Sequence, residues 1–194
     1  MPFSTTFETA VNHAMLYEVG GFWKLTPDVM AGRISTDAQK KAVGYTNDPN
    51  DPGGETKFGI AKNSHAQLNI AALTWVDAKN IYYNEYWVGA SCDKMSPRVA
   101  ILHFDGCINN GVSTASKFLQ RAINVSDDGK IGPITLGVLN KLDPILVCNK
   151  ICDYRTQYYK DIVNARPSSS IYLNGWVRRI NEMRAFVTDP RTIF

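Results

Sequence analysis

Apolar and polar positions recur along most of this chain with helical spacing. Phe7, Val11, Ala14 and Met15 share one face, which predicts an amphipathic helix over residues 6–17, with Thr5-x-x-Glu8 as its capping box. Thr26-Pro27 and Thr36-x-x-Gln39 start two short helices, closed by Gly32 and Gly44. Thr74-x-x-Asp77 caps a helix over 75–87, with Ala78, Ile81, Tyr82 and Tyr86 inward. Ser96-Pro97 opens a long helix that runs to Asn110 and ends at Gly111, with Val99, Leu102 and Gly106 on one face. Further helices are predicted over 114–124, from Gly132-Pro133 to about 142, from Asp143-Pro144 to Ala165, and over 172–187. Asp127-Asp128-Gly129 is a turn and Pro167–Ser170 a loop. Only Lys57-Phe58-Gly59-Ile60 suggests strand pairing. The fold class is therefore all-α, with at most a small β-hairpin.

Two stretches break the helical pattern. Residues 45–61 hold two Asp-Pro steps and the Gly53-Gly54 pair, so no helix runs through them. A surface turn would explain a lone Asp-Pro-Gly, but this run is longer and denser in Asp, Thr and Gly than a turn needs. Glu18 sits at the end of the first predicted helix, just before Gly20-Gly21. A carboxylate there meets the negative end of the helix dipole, so it is either solvated or favours its protonated form. Asp105 and Asn109-Asn110 are polar residues on what should be a buried helix. They either line a cleft or, for Asn110, simply cap the helix. The aromatic residues of 75–87 serve as core packing, with a sugar-stacking platform as the alternative for one or two of them.

Composition narrows the chemistry. The 194 residues are 44% hydrophobic, normal for a globular core, and the net charge of +3 is too weak to argue nucleic acid as a partner. Residues 1–17 carry Glu8 and no basic segment, so no signal peptide is expected, and no apolar run approaches the ~20 residues of a membrane span. Cys92, Cys107, Cys148 and Cys152 form no CxxC pair and are expected to be free, buried thiols. His103 and Cys107 have metal-ligand spacing, but with three histidines and no matching second pair neither metal nor cofactor is expected. Phosphate loops, nucleophile elbows and HExxH are absent, which leaves carboxylate chemistry as the leading option for an enzyme.

Glu18-Val19-Gly20-Gly21 together with Asp48-Pro49-Asn50-Asp51-Pro52-Gly53-Gly54-Glu55-Thr56-Lys57-Phe58-Gly59-Ile60 resembles the signature of glycoside hydrolase family 108, the bacterial and phage N-acetylmuramidases. The run from Phe104 to Asn110-Gly111 and on to Asp128-Gly129-Lys130-Ile131-Gly132-Pro133 is similar to the predicted peptidoglycan-binding module that accompanies that family, and Gly175-Trp176-x-x-Arg179 fits its C-terminal end. Two departures stand out. The family's Glu-Gly-Gly has one extra residue here, and Asp51 follows Glu18 by 33 residues, so about 22–44 reads as an insertion.

The resemblance implies a lysozyme-like fold. It implies a catalytic lobe over 1–95 and a helical peptidoglycan-binding lobe over 96–194 packed on it as one compact unit. It further implies cleavage of the β-1,4 bond between N-acetylmuramic acid and N-acetylglucosamine, with Glu18 as general acid, Asp51 to orient water or stabilise charge, and Thr56 to hold that water. Gly53 and Gly54 would let backbone approach the sugar, and Asp105, Asn110 and Trp176 would contact substrate. The expected partner is bacterial peptidoglycan, met by a monomer. The size and lack of a signal suit a phage endolysin that stays in the host cytoplasm until a holin releases it to the periplasm and cell wall, with host lysis and antimicrobial action as consequences. A lytic transglycosylase on the same fold, needing one Glu and no water-activating Asp, and a non-catalytic wall-binding protein are the alternatives.

Overall fold

The computed structural model describes residues 2–19, 26–31, 33–48 and 53–194. The protein divides into two compact units, Glu8–Asn84 and Met1–Phe7 with Glu85–Phe194. The predicted lobe boundary near residue 95 thus lies inside the second unit. Ring packing accounts for this: Trp87 meets Phe7 and Phe104 edge-on at 5.4 and 5.6 Å.

Most described residues are helical. Helix α1 spans Thr5–Glu18, a residue longer at each end than its apolar spacing predicts. Its cap differs from expectation. Ser4, not Thr5, accepts the Phe7 amide, and the Glu8 carboxylate, instead of folding back, takes the Lys79 ammonium at 2.7 Å. Gly20 and Gly21, expected to stop this helix, lie outside the described residues, as does Gly32.

In the Glu8–Asn84 unit, α2 (Pro27–Met30) starts on the Thr26 hydroxyl with Pro27 at its first position, and α3 (Asp37–Ala42) starts on the full Thr36/Gln39 capping box. The expected hairpin is present: β1 (Thr56–Lys57) pairs antiparallel with β2 (Ile60–Ala61). Helix α4 (Trp75–Tyr82) begins at the Thr74/Asp77 capping box. The predicted 75–87 helix continues, but from Tyr83 to Val88 it widens to a π-helical turn. The extra residue per turn shifts the aromatic register, so Trp87 is buried while Tyr86 is only half-buried.

In the other unit α5 (Pro97–Asn110) is buried continuously from Val99 to Cys107, a helix enclosed on all sides. It packs on α6 (Val112–Ala122), α8 (Pro144–Ala165) and α9 (Ser170–Thr188). Gly106 permits close approach, since a Cβ there would sit 3.3 Å from Ala115 Cβ. Helix α7 (Pro133–Leu139) is shorter than predicted, and Pro167–Ser169 forms a 3-10 turn where a loop was expected. The four cysteines are free and buried, as expected. Burial pushes the Cys107 and Cys148 thiols up to about 12 and Cys152 to about 11.

Two polar devices tie this unit together. Gln120 is buried and holds the 127–130 turn: its Nε2 donates to Asp128 Oδ1 at 2.7 Å and to the Lys130 carbonyl at 3.0 Å, and its Oε1 accepts the Gly129 amide at 2.8 Å. Arg98, in the first turn of α5, donates to the carbonyls of Val187, Asp189 and Thr192 at 2.6–2.9 Å and lies 5.2 Å from the Phe194 ring. Those carbonyls include ones that the end of α9 leaves without helical partners.

Candidate functional site

The site is built around the last residue of α1. Glu18 is half-buried, and Val19 after it is buried. Val19 seats against Gly44, whose φ of +60° leaves room for it: a Cβ there would stand 3.0 Å from Val19 Cγ1. The end of α1 is thus fixed against the segment that leads into the Asp/Gly loop.

The loop returns as the β1–β2 hairpin. Its register, Thr56↔Ala61 and Lys57↔Ile60, leaves Phe58-Gly59 as a two-residue turn. Both residues have positive φ, 54° and 76°, the backbone of a type I′ turn. Phe58 is not glycine, so its left-handed backbone costs about 1 kcal/mol. Three contacts offset this. Its ring is fully buried and lies 5.6 Å from Trp75. Its amide donates to the Val43 carbonyl at 2.7 Å. Its carbonyl accepts the Tyr82 hydroxyl at 2.9 Å.

Gly59, at the tip, faces Glu18. A Cβ on Gly59 would lie 3.5 Å from Glu18 Cβ, 3.8 Å from Glu18 Cγ and 2.5 Å from Tyr82 Oη. The hairpin that carries Thr56 is therefore brought beside the Glu18 side chain.

Thr56 is braced on both sides. Its amide and carbonyl exchange hydrogen bonds with Thr46 at 2.9 and 3.0 Å, and its hydroxyl donates to the Gly54 carbonyl at 3.3 Å. The Gly53 and Glu55 carbonyls accept the Asn63 and Lys62 amides, and Tyr45 Oη donates to Glu55 Oε1 at 2.8 Å. That bond to the Glu55 carboxylate raises the Tyr45 phenol above its ordinary value. Lys57 is fully buried, with its ammonium on the Ala71 carbonyl at 2.7 Å. Burial pushes it down, while Glu55 and Asp77 pull the other way. Asp51, expected beside Glu18, lies outside the described residues.

The other three expected contacts belong to the second unit. Asp105 is 2% exposed. Its Oδ1 accepts Nε and Nη2 of Arg179 at 3.0 and 2.8 Å, and Arg155 Nη2 stands 2.8 Å from Oδ2 as an ion pair rather than an aligned hydrogen bond. Burial alone would push this carboxyl up; the two guanidinium groups outweigh it and hold it below the usual carboxylate range. The carboxylate is closed inside the helices instead of being presented to a ligand. Asn110 Nδ2 donates to Tyr159 Oη at 2.8 Å. Trp176 is half-buried, stacked on Tyr159 with ring centres 4.7 Å apart, and Tyr172 lies 5.7 Å away with 57% of its surface exposed.

Nearby, His103 Nε2 is 3.7 Å from Cys107 Sγ. Burial, then the charge of Arg155, pushes His103 down to about 4. Among the described residues no group of three or more His, Cys, Asp or Glu side chains could hold a metal ion.

Tyr82, Gly59, Lys57 and Gln120 have structural parts that patterning does not reveal. Tyr82 reads only as an inward aromatic and Gly59 only as a hairpin residue. Their meeting with Glu18 depends on contacts far apart in sequence.

The family model for glycosyl hydrolase 108 matches residues 39–111, and that for a predicted peptidoglycan domain matches residues 114–181. Thr56, Asp105 and Asn110 fall within the first match and Trp176 within the second, while Glu18 precedes both. A solved structure of SagA from Brucella abortus is 26% identical and superposes with a TM-score of 0.69, covering 96% of this chain and 98% of that one. No curated protein matches the chain.

Proposed function

We propose, because the glycosyl hydrolase 108 model matches residues 39–111, the predicted peptidoglycan domain matches 114–181 and the fold is lysozyme-like and mostly helical, that this chain is an N-acetylmuramidase with Glu18 as its general acid. The coarser conclusion, a peptidoglycan hydrolase of the glycosidase type, follows from the two domains together. The finer one rests on a single observation: the Glu18 side chain is packed against the tip of the hairpin that carries Thr56.

Hydrolysis of a glycosidic bond needs a proton on the leaving oxygen and a water at the oxocarbenium-like carbon. Glu18 gives its proton to the leaving oxygen as the bond from that oxygen to the anomeric carbon of N-acetylmuramic acid breaks. Thr56 directs its hydroxyl hydrogen to Gly54, so its oxygen lone pairs are free to accept a hydrogen from the attacking water. Asp51 orients that water or stabilises the positive charge at carbon, and the proton that the water sheds on attack passes to solvent. Gly53 and Gly54 let the backbone approach the sugar. Trp176 and Tyr172 offer aromatic faces to the glycan, and Asn110 supports them through Tyr159.

The proposal extends to biology. The chain acts as a monomeric phage endolysin, made in the host cytoplasm and released to the wall by a holin. No helix among the described residues is long and apolar enough to cross a membrane, which suits release through a separate pore.

The decisive measurement compares the wild type with Glu18→Gln on outer-membrane-stripped cells. Glu18→Gln should lose lysis while its circular dichroism spectrum and melting temperature stay unchanged, and retained lysis would overturn the assignment. Mass spectrometry of the digest reads the reaction: reducing N-acetylmuramic acid ends mean hydrolysis, 1,6-anhydro ends a transglycosylase.

A further inference from the structure

The predicted peptidoglycan domain has a groove along α8 that neither the glycan chemistry above nor the family descriptions use. One chamber, about 400 Å³, is lined by Arg121, Asn124, Lys150, Asp153, Tyr154 and Gln157. A second, about 250 Å³, is lined by Ala122, Leu142, Leu146 and Val147 and also by Asp143 and Asn149. Lys150 lines both, so the polar and apolar chambers adjoin at its side chain. The first volume alone is that of a small-ligand site.

The charges around the groove are mostly matched already. Arg121 Nε donates to Asp127 at 2.6 Å, and Asp153 accepts from Arg184 at 2.6 Å. Lys150 is exposed and has no carboxylate partner among the described residues, and Asp143 is exposed and caps α8 without a basic partner among them, so the groove offers one uncompensated cation and one uncompensated anion. Asn124 offers an amide with both donor and acceptor capacity. Gln157 gives its Nε2 to Asp161 and keeps its Oε1 as an acceptor. On the apolar side, Leu146 is 64% exposed and Leu142 42%.

A cation and an anion together, among amide groups and exposed leucines, do not suit a bare glycan, whose only charges are the carboxylates of its lactyl groups and which is read mainly by flat aromatic faces. They suit a short peptide that carries carboxylates, an ammonium, amide bonds and methyl side chains. Peptidoglycan contains one such component, the stem peptides attached to its sugars. We infer that the groove between α6 and α8 is a binding site for the peptide stem, with Lys150 on a stem carboxylate, Asn124 and Gln157 on its amides, and Leu142 and Leu146 against its alanine methyls. The inference rests on peptidoglycan being the substrate, and it adds a second recognition element that reads the wall's peptide rather than its sugar.

The test uses the full chain carrying Glu18→Gln, so that the wall is not digested. Two ligands are titrated: intact sacculi, and a synthetic L-Ala-γ-D-Glu-L-Lys tripeptide with its carboxylates free or amidated. Sacculi and the free tripeptide should bind, and amidation should weaken the tripeptide. Lys150→Glu should weaken tripeptide binding about tenfold, because an exposed ion pair is replaced by repulsion. Lys150→Arg should retain it, added salt should weaken it, and Tyr154→Ala should weaken it without a change in charge. A chain that binds sacculi but not the tripeptide, or whose Lys150→Glu form binds the tripeptide undiminished, overturns the groove assignment and leaves the peptidoglycan reading standing. A chain that binds neither ligand overturns both.

Discussion

Glu18 and Gly59 meet side chain to backbone: a Cβ on Gly59 would lie 3.5 Å from Glu18 Cβ, with Tyr82 Oη on its other side at 2.5 Å. The hairpin tip can come this close because position 59 has no side chain and can hold a φ of +76°.

Gly59→Ala should therefore do two things. The left-handed backbone should cost about 1–2 kcal/mol of stability, and displacement of Tyr82 should move the hairpin relative to Glu18 and lower lytic activity. Tyr82→Phe removes both the clash and the bond to Phe58, a loss of about 1 kcal/mol by itself. The double variant should be less destabilised than the sum of the two. Urea unfolding of the four proteins checks this, and strict additivity would mean that the contact does not exist in solution.

Acid should unfold the protein through His103. Its folded value is about 4, against 6.5 in the unfolded chain. Between those values the unfolded chain binds a proton that the folded chain refuses, so the stability present above pH 6.5 falls as pH falls toward 4. The slope is about 1.4 kcal/mol per unit for one proton. His103→Gln should flatten the stability profile in that window. Urea midpoints at pH 7.5, 5.5 and 4.5 measure it, and an unchanged slope would assign the acid sensitivity to another group.

Asp105→Asn should destabilise strongly, by about 3–5 kcal/mol, because it leaves Arg155 and Arg179 facing each other without their shared anion. Replacing all three by apolar residues of similar volume should cost less than the single change. Below the usual carboxylate range, protonation of Asp105 should reproduce the loss in the wild type. Thermal melts of the single and triple variants at neutral pH separate the outcomes.

Gln120→Ala should free the 127–130 turn from α6. Several buried groups lose partners at once, at about 1–3 kcal/mol each at most. Amide hydrogen exchange should rise at Gly129 and Lys130 before it rises in α8. Unchanged exchange there would show that the turn holds itself.

Helix starts were legible in the sequence because they are local. Thr26-Pro27, Thr36 with Gln39, Thr74 with Asp77 and Asp143-Pro144 act within three residues, and each begins the helix it predicts. The hairpin was equally local. The misread cap of α1 shows the limit: Glu8 had a partner within reach but pairs with Lys79, 71 positions away. Asp105 was recognised as a buried polar residue needing partners. That those partners are Arg155 and Arg179 depends on how α5, α8 and α9 pack, which no spacing rule contains. Of the candidate site, Glu18 and Thr56 were legible from motif and position. The contact that brings their elements together, Gly59 against Glu18 under Tyr82, is a long-range event.

The bonds from Arg98 to Val187, Asp189 and Thr192 turn the last residues from a tail into a clasp. A ribosome must release the chain through Thr192 before this clasp can shut, so the buried helix α5 cannot be sealed at its first turn until then. Truncation before Asp189 should therefore yield aggregated product, because it removes two of the three carbonyls that Arg98 holds.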